Sequence, residues 1–390
     1  MNWNDKTAAN VKAIKPSGIR KFFDIAAQVK GVLSLSIGEP DFAAPDKVLA
    51  AMKASLDAKE TSYTGNSGMM ELREAISHHF EQRYGVHYDP KDEILVTVGV
   101  SEGLAMALLA ITEPGDEVII PDPAYVAYPA SVELAGGTPV FVPTYPEHDF
   151  KLTVEALEKV ITPKTKAIVI GYPNNPTGTV MSAEELMPIA KFAEEHDLIV
   201  LSDEIYCELM YGDAKFTSFA KLPGMRERTV IFNGFSKAYA MTGMRLGYVC
   251  APREGLAPIL KLHQYAIMCA NTTAQVGGIT ALKECDDDVE AMRQEYDRRR
   301  KVIYKGLCDM GLPVFEPKGA FYIFPDIRCT GMTSAEFCEK LVQEEKVAVV
   351  PGTAFGDQGE GFVRISYAAS MDTIQEALKR MARFVAQYRK

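Results

Sequence analysis

Gly234-Phe235-Ser236-Lys237 follows directly on the apolar run Thr229 to Asn233, and Arg245 comes soon after in MTGMRLGY. A lysine amine at a strand exit is a nucleophile when its surroundings let it condense with a carbonyl, although one lysine taken alone reads as a solvated surface residue. Asp203, in LSDEIY, closes a second apolar run, Leu198 to Ser202. A carboxylate at the end of a buried strand is costly to desolvate unless it meets a cation such as a protonated ring nitrogen; the ordinary alternative is a helix N-cap.

Tyr172-Pro173-Asn174-Asn175-Pro176-Thr177-Gly178 follows the run Ala167 to Ile170, and its Pro and Gly residues force a turn that fixes where the asparagine amides point. Those amides can meet a ligand hydroxyl or simply shape the turn. Gly99-Val100-Ser101-Glu102-Gly103 joins the apolar ILVTV to the helical LAMALLAI, and small residues at such a junction expose helix N-terminal N–H groups that bind phosphate. The same pentad matches the nucleophile elbow G-x-S-x-G of hydrolases. That reading is weakened because the last histidine is His263, well short of the C-terminus, and no HGGG-type loop lies upstream. Ser218 and Lys221 match S-x-x-K, but no K-T-G accompanies them.

Neither G-x-G-x-x-G nor G-x-x-x-x-G-K-[ST] occurs, so nicotinamide and nucleoside-triphosphate readings lack their phosphate loops and one phosphate monoester is the simplest fit. Arg364, in EGFVRISYA, sits in an apparent strand, where a planar acidic partner is required: a substrate carboxylate or a structural Asp or Glu. A Schiff-base lysine, an acid opposite a ring nitrogen and a site for one phosphate are together what pyridoxal phosphate needs.

Positioning these groups requires strands that end together. From about Lys47 to Cys285, short apolar runs alternate with amphipathic segments, the pattern of a mostly parallel sheet covered by helices. Strands are expected at Ile94 to Val98, Val118 to Pro121, Pro139 to Val142, Ala167 to Ile170, Leu198 to Ser202, Thr229 to Asn233 and Leu246 to Cys250. Binding residues collect at the carboxyl edge of such sheets. After Asp286 a charged helical stretch, VEAMRQEYDRRRKVIYKGLCDM, precedes short strands near Phe321 to Phe324, Val347 to Val350 and Val363 to Ser366, which reads as a smaller α+β unit. We therefore expect a large domain over residues 46–285 and a small discontinuous one over 1–45 and 286–390.

The 390 residues carry a net charge of -10 at pH 7, which disfavours nucleic-acid binding through phosphate neutralisation. Seven cysteines without a C-x-x-C pair suggest neither a disulfide framework nor a metal site, and a reducing cytoplasm fits. No signal peptide or membrane-spanning run is legible.

Read together, IGEPDF, TSYT, GYPNNPTG, LSDEIY, NGFSKAYAMTGMRLGY, KGAFYIFP and GFVRISYA resemble class I aminotransferases of pyridoxal-phosphate fold type I, over nearly the whole chain. The resemblance is strongest to the branch of aromatic, aspartate and N-acetyl-diaminopimelate aminotransferases. It implies a fold type I α/β architecture with a seven-stranded sheet plus the smaller domain, a pyridoxal 5'-phosphate cofactor, amino-acid and 2-oxo-acid substrates, and a homodimer.

Residue by residue, the resemblance implies that Lys237 forms the internal aldimine and moves the proton between the substrate's α-carbon and the cofactor's C4'. Asp203 would keep the ring nitrogen protonated, Tyr206 and Asn175 would bond the ring's phenolic oxygen, and Tyr125 would stack on the ring face. Backbone N–H groups near Val100 and Ser101, the Ser101 and Ser236 hydroxyls and Arg245 would meet the phosphate, with Tyr63 reaching in from a second subunit. Arg364 would grip the α-carboxylate, assisted by the Gly38 backbone and Asn175, and substrate binding would draw the small domain closed. The segment Ser17-Gly18-Ile19-Arg20-Lys21-Phe22 would border the substrate side chain.

Ser101 stands where aspartate-preferring relatives can carry a lysine, so strict aspartate specificity is not expected. The expected activity is transfer from an aromatic or other large amino acid to a 2-oxo acid such as 2-oxoglutarate. The alternatives are an aspartate or N-acetyl-diaminopimelate aminotransferase and a pyridoxal-phosphate-dependent C–S β-lyase. A cofactor-binding transcriptional regulator would need a basic DNA-binding module, for which the chain has neither length nor charge.

Overall fold

In the computed structural model, which describes residues 1–14, 18 and 29–390, β1 (Leu33–Ser34) leads to the helices Asp46–Asp57 and Met70–Tyr84. The βα alternation then runs through β2 (Ile94–Thr97), β3 (Glu117–Asp122), β4 (Thr138–Pro143), β5 (Thr165–Ile170), β6 (Ile199–Asp203), β7 (Thr229–Gly234) and β8 (Gly247–Cys250). These seven strands make one sheet in the order β2-β8-β7-β6-β5-β3-β4. Each lies within two residues of its expected position.

Strands β2, β7 and β8 are buried at every residue, which is why their sequences read as continuous apolar runs: helices cover both faces of the sheet. The edge strand β4 is largely open and its pattern is correspondingly mixed. Near-wholly apolar in sequence, the helix Gly99–Ile111 packs on β7 and β8 and beside the helix Arg253–Ala266.

Strand β8 runs antiparallel to both its neighbours, with Gly247 facing Thr97 of β2 and Gly234 of β7. Its beginning therefore lies at the edge where the other six strands end. Residues just after β2, β3, β5, β6 and β7 and just before β8 all meet along this one edge. Close approach there depends on glycine: a Cβ on Gly247 would come within 2.7 Å of the backbone of Gly99 and Val100.

The charged stretch after the sheet forms the helix Asp286–Asp309, whose first turn carries three aspartates against the positive end of the helix dipole. Beyond it, β9 (Tyr322–Ile323), β11 (Val350–Pro351) and β12 (Val363–Ser366) form an antiparallel sheet in the order β11-β12-β9, while β10 (Val347–Ala348) pairs in parallel with β1. A continuous apolar core joins Leu35 to Tyr296, Phe321, Phe337, Ile365, Ile374 and Phe384, and reaches the main sheet's loops at Ile205 and Tyr206.

Candidate active site

Where β2 ends, two side-chain bonds shape the turn into the helix Gly99–Ile111. Thr97 Oγ1 donates to the Gly99 carbonyl at 3.0 Å, and the Val98 N–H donates to Glu102 Oε2 at 3.0 Å. Gly99 has φ +74°, and a Cβ there would fall 2.5 Å from Arg245 Nη2, so glycine lets the guanidinium lie against the turn. Val100 and Ser101 stand in the first helical turn, where N–H groups lack intrahelical acceptors. Arg245, anchored by Nη1 to the Thr242 carbonyl at 2.9 Å, and Ser236 border the same cavity beside this turn, a set of donors suited to an anion.

Lys237 follows β7 and is partly buried, and its Nζ donates to the Gly38 carbonyl at 2.7 Å. Burial first, and then the Arg364 guanidinium, pull its pKa down to about 8 against the opposing pull of Glu39 and Asp203. Such an amine has a reactive neutral fraction at physiological pH.

Asp203 is buried at the end of β6, where Oδ2 accepts from Tyr128 Oη at 2.8 Å and Oδ1 from the Ile205 N–H at 3.3 Å. The residues after it form a turn rather than a helix, which removes the N-cap alternative. Desolvation raises its pKa, the state expected of a carboxylate awaiting a cation.

Arg364 is buried on β12 and has no carboxylate partner among the described residues. Its Nη1 donates to Asn175 Oδ1 at 3.0 Å and its Nη2 to the Ser36 carbonyl at 2.7 Å, while the guanidinium lies between the rings of Tyr322 and Phe355. Nε has no partner among the described residues. Desolvation lowers its pKa: burial disfavours the cation, a cost that a planar anion beside it would offset.

These groups line one cavity of about 720 Å³. Gly38, Val100, Ser101, Tyr125, Asn175, Asp203, Tyr206, Ser236, Lys237, Arg245 and Arg364 all border it. Tyr63 does not, and is 80% exposed on this chain. Ile19 lies outside the described residues. No histidine lines the cavity among the described residues, and His263 is instead buried against Glu102, so Ser101 has no base with which to act as a hydrolase nucleophile.

Sequence reasoning gave no role to Tyr128 or Tyr322. Tyr128 holds Asp203, and Tyr322 bonds Tyr206 Oη at 2.8 Å and covers Arg364. Both stand in motifs already singled out, DPAYVAYP and KGAFYIFP, yet nothing in a tyrosine's sequence neighbours tells which carboxylate or guanidinium it will meet. Glu39, which accepts from Thr242 Oγ1 at 3.1 Å, was likewise unassigned.

The cavity fits a molecule with an aldehyde for Lys237, an anionic group for the Val100–Ser101 turn and a ring cation for Asp203, with Arg364 left to receive a carboxylate. Pyridoxal 5'-phosphate with an amino-acid substrate has these features. The family model for aminotransferases of class I and II matches residues 30–381. An aspartate aminotransferase of Pyrococcus abyssi is 50% identical over 376 residues, covering 96% of this chain and 97% of that protein. Aromatic-amino-acid aminotransferase 2 of Thermococcus litoralis is 47% identical over 379 residues, covering 97% of each. The crystal structure of an aromatic aminotransferase from Pyrococcus horikoshii OT3 superposes with a TM-score of 0.90 at 49% identity, over 94% of this chain and 99% of that one.

Proposed function

The chain belongs to the class I and II aminotransferases, which work with pyridoxal 5'-phosphate, and we propose that it passes the amino group of an L-amino acid with an aromatic or other large side chain to a 2-oxo acid such as 2-oxoglutarate. The observation that carries this reading is the meeting, in one cavity, of a lysine whose pKa is lowered to about 8 and an arginine that has no acidic partner among the described residues.

Bound there, the cofactor supplies an aldehyde carbon to receive the amino group and a cationic ring to draw electrons from the substrate's α-carbon. Lys237 Nζ would hold the cofactor by that aldehyde carbon and, when free, would be the base that takes the proton from the substrate's α-carbon. Asp203, held by Tyr128, would keep the ring nitrogen protonated. Tyr206 and Asn175 would bond the phenolic oxygen, and Tyr125 would stack on the ring. The Val100 and Ser101 N–H groups, the Ser101 and Ser236 hydroxyls and Arg245 take the phosphate. Arg364, with Asn175 and the Gly38 backbone, takes the substrate's α-carboxylate and so aims the α-hydrogen at Lys237.

Tyrosines 125, 206 and 322 on the cavity wall favour an aromatic side chain, and the hydroxyl of Ser101 offers no cation to an acidic one. We read residues 1–45 and 286–390 as a small domain that closes over the substrate; the β1–β10 pairing and the core joining Leu35 to the C-terminal helices support this division. We also read the enzyme as a cytoplasmic homodimer in which the partner subunit's Tyr63 reaches the phosphate. Supporting the dimer, Tyr63, Tyr265 and Met268 are all exposed apart from the core, and Asn66 Nδ2 ties the Tyr63 segment to the Met268 carbonyl. Supporting the compartment, all seven cysteines are free; in addition, no helix among the described residues is long and apolar enough to cross a membrane.

The test is a panel of common amino acids with 2-oxoglutarate, read as glutamate formed. Aromatic and other large donors are expected to dominate. Turnover with aspartate or N-acetyl-diaminopimelate alone would overturn the substrate reading, and release of pyruvate and ammonia without a new amino acid would overturn transfer.

A further inference from the structure

Glu102 and His263 form a buried pair that none of the steps above uses. Glu102 occupies the first turn of the helix Gly99–Ile111, and both its oxygens are engaged: Oε2 accepts from the Val98 N–H at 3.0 Å and Oε1 lies 3.0 Å from His263 Nδ1. The His263 side chain is fully buried and that of Glu102 is 8% exposed. His263 belongs to the neighbouring helix, Arg253–Ala266, so the contact ties two packed helices together at the point where one begins. His263 Nε2 is buried with no partner among the described residues, so Nδ1–H is the one donor through which this ring is held.

The Val98 N–H is the backbone group immediately ahead of the Gly99–Ser101 turn, and the Gly99 carbonyl is fixed from the other side by Thr97. The Val98 N–H belongs to the Thr97–Val98 peptide and the Gly99 carbonyl to the Gly99–Val100 peptide, so the two bonds hold the peptide planes on either side of the Val98–Gly99 link, and rotation of either plane would reorient the N–H groups of the turn. We infer that His263, through Glu102, is a positioning residue that locks the Val98–Ser101 backbone in the orientation its N–H groups need to receive the cofactor's phosphate.

The ring contributes a second effect of the same sign. The Glu102 carboxylate lies near the corner proposed for a phosphate, and an unpaired anion there would oppose binding. A donor on Nδ1 both fixes the carboxylate and draws its charge toward His263. Removing the donor frees the carboxylate to swing and to repel.

This inference rests on the cofactor reading above and is tested apart from it with the cofactor-stripped full chain, titrated by absorbance with pyridoxal phosphate and with pyridoxal, which lacks the phosphate. His263→Leu is expected to weaken pyridoxal phosphate about tenfold, close to 1.4 kcal/mol, while pyridoxal binding changes less than about twofold on that scale. His263→Asn, whose amide nitrogen reaches the Nδ1 position, is expected to retain wild-type affinity. His263→Gln, whose amide reaches the Nε2 position instead, is expected to behave as the Leu variant and replaces it should the Leu variant not fold. A merely structural role would lower the unfolding temperature and weaken both ligands alike, or leave both unchanged; either result overturns the inference. So does equal binding by the Asn and Gln variants. A wild-type chain that binds neither ligand would instead overturn the cofactor reading itself.

Discussion

Arg364 Nη1 stands 3.0 Å from Asn175 Oδ1, and this bond joins β12 of the C-terminal unit to the turn after β5 of the main sheet. The contact leaves Nε without a partner in an apolar pocket between Tyr322 and Phe355. An incoming carboxylate would replace neutral contacts with charge-assisted ones. Arg364→Leu is therefore predicted to raise KM for amino donors by roughly a hundredfold, as expected for about 3 kcal/mol of lost charged hydrogen bonding. Cofactor absorbance should persist, because the residue lies apart from the phosphate corner. Arg364→Lys should recover little, since an ammonium lacks the planar fork. An unchanged KM in either variant would remove Arg364 from substrate binding.

Lys237 gives a pH prediction. Its pKa is lowered to about 8, chiefly by burial and then by Arg364. The amine condenses with an aldehyde only when neutral, so the rate of cofactor uptake by the stripped enzyme should climb with pH and level off just above 8 rather than near the ordinary lysine value of about 10.4. Linkage gives a second consequence. Between about 8 and that ordinary value the unfolded lysine binds a proton that the folded one does not, so the cofactor-free protein gains stability as pH rises through this window. Lys237→Ala should abolish the visible absorbance, turnover and this rise together; full activity in the variant would end the assignment.

How much of this was legible in the sequence depended on range. Strands such as β2, β6 and β7 were readable because burial on both faces forces continuous apolar runs, and the turn residues that follow the strands mark the edge where Lys237, Asp203 and Asn175 emerge. The antiparallel course of β8 was not, although it is what brings Arg245 to that edge: an apolar run does not disclose its direction. Tyr128 and Asp203 are 75 residues apart, and Tyr206 and Tyr322 are 116 apart. Partnerships at that distance are fixed by topology, not by local pattern. Arg364 shows the same limit, for its sequence was compatible with a structural carboxylate until the fold put Asn175 and the Ser36 carbonyl beside it.

Asp203 tests whether charge or shape matters at the ring nitrogen. Its carboxylate is buried, pushed upward in pKa by desolvation, and held by the Tyr128 hydroxyl. Asp203→Asn keeps the shape and an acceptor for Tyr128 while removing the charge that stabilises a protonated ring. Turnover should fall on the order of 10²–10³-fold, the usual loss when one preorganised electrostatic contact is removed, with the protein still folded and coloured. Tyr128→Phe, which frees the carboxylate without discharging it, should fall much less. Equal losses in the two variants would show that placement, not charge, is what Asp203 provides.

Glu204, next to Asp203 on the chain, is predicted to set part of the enzyme's stability against pH. It is fully buried, with Oε1 accepting from Ser202 Oγ at 3.0 Å, Ser218 Oγ at 2.9 Å and the Phe219 N–H at 3.1 Å, while Oε2 has no partner among the described residues. Desolvation raises its pKa to about 7 against the pull of those three donors. In the unfolded chain the carboxyl ionises near the ordinary glutamate value of about 4.3. Between that value and about 7 the folded state thus binds a proton that the unfolded state has lost, and by linkage this residue's contribution to stability falls as pH rises through the window. Glu204→Gln keeps an oxygen for the three donors and cannot ionise. Its unfolding temperature relative to wild type should therefore increase from pH 5 to pH 7 and then level off. Thermal unfolding of both full-length enzymes across pH 5 to 8 measures this directly, and a difference independent of pH would mean that Glu204 does not titrate in that range.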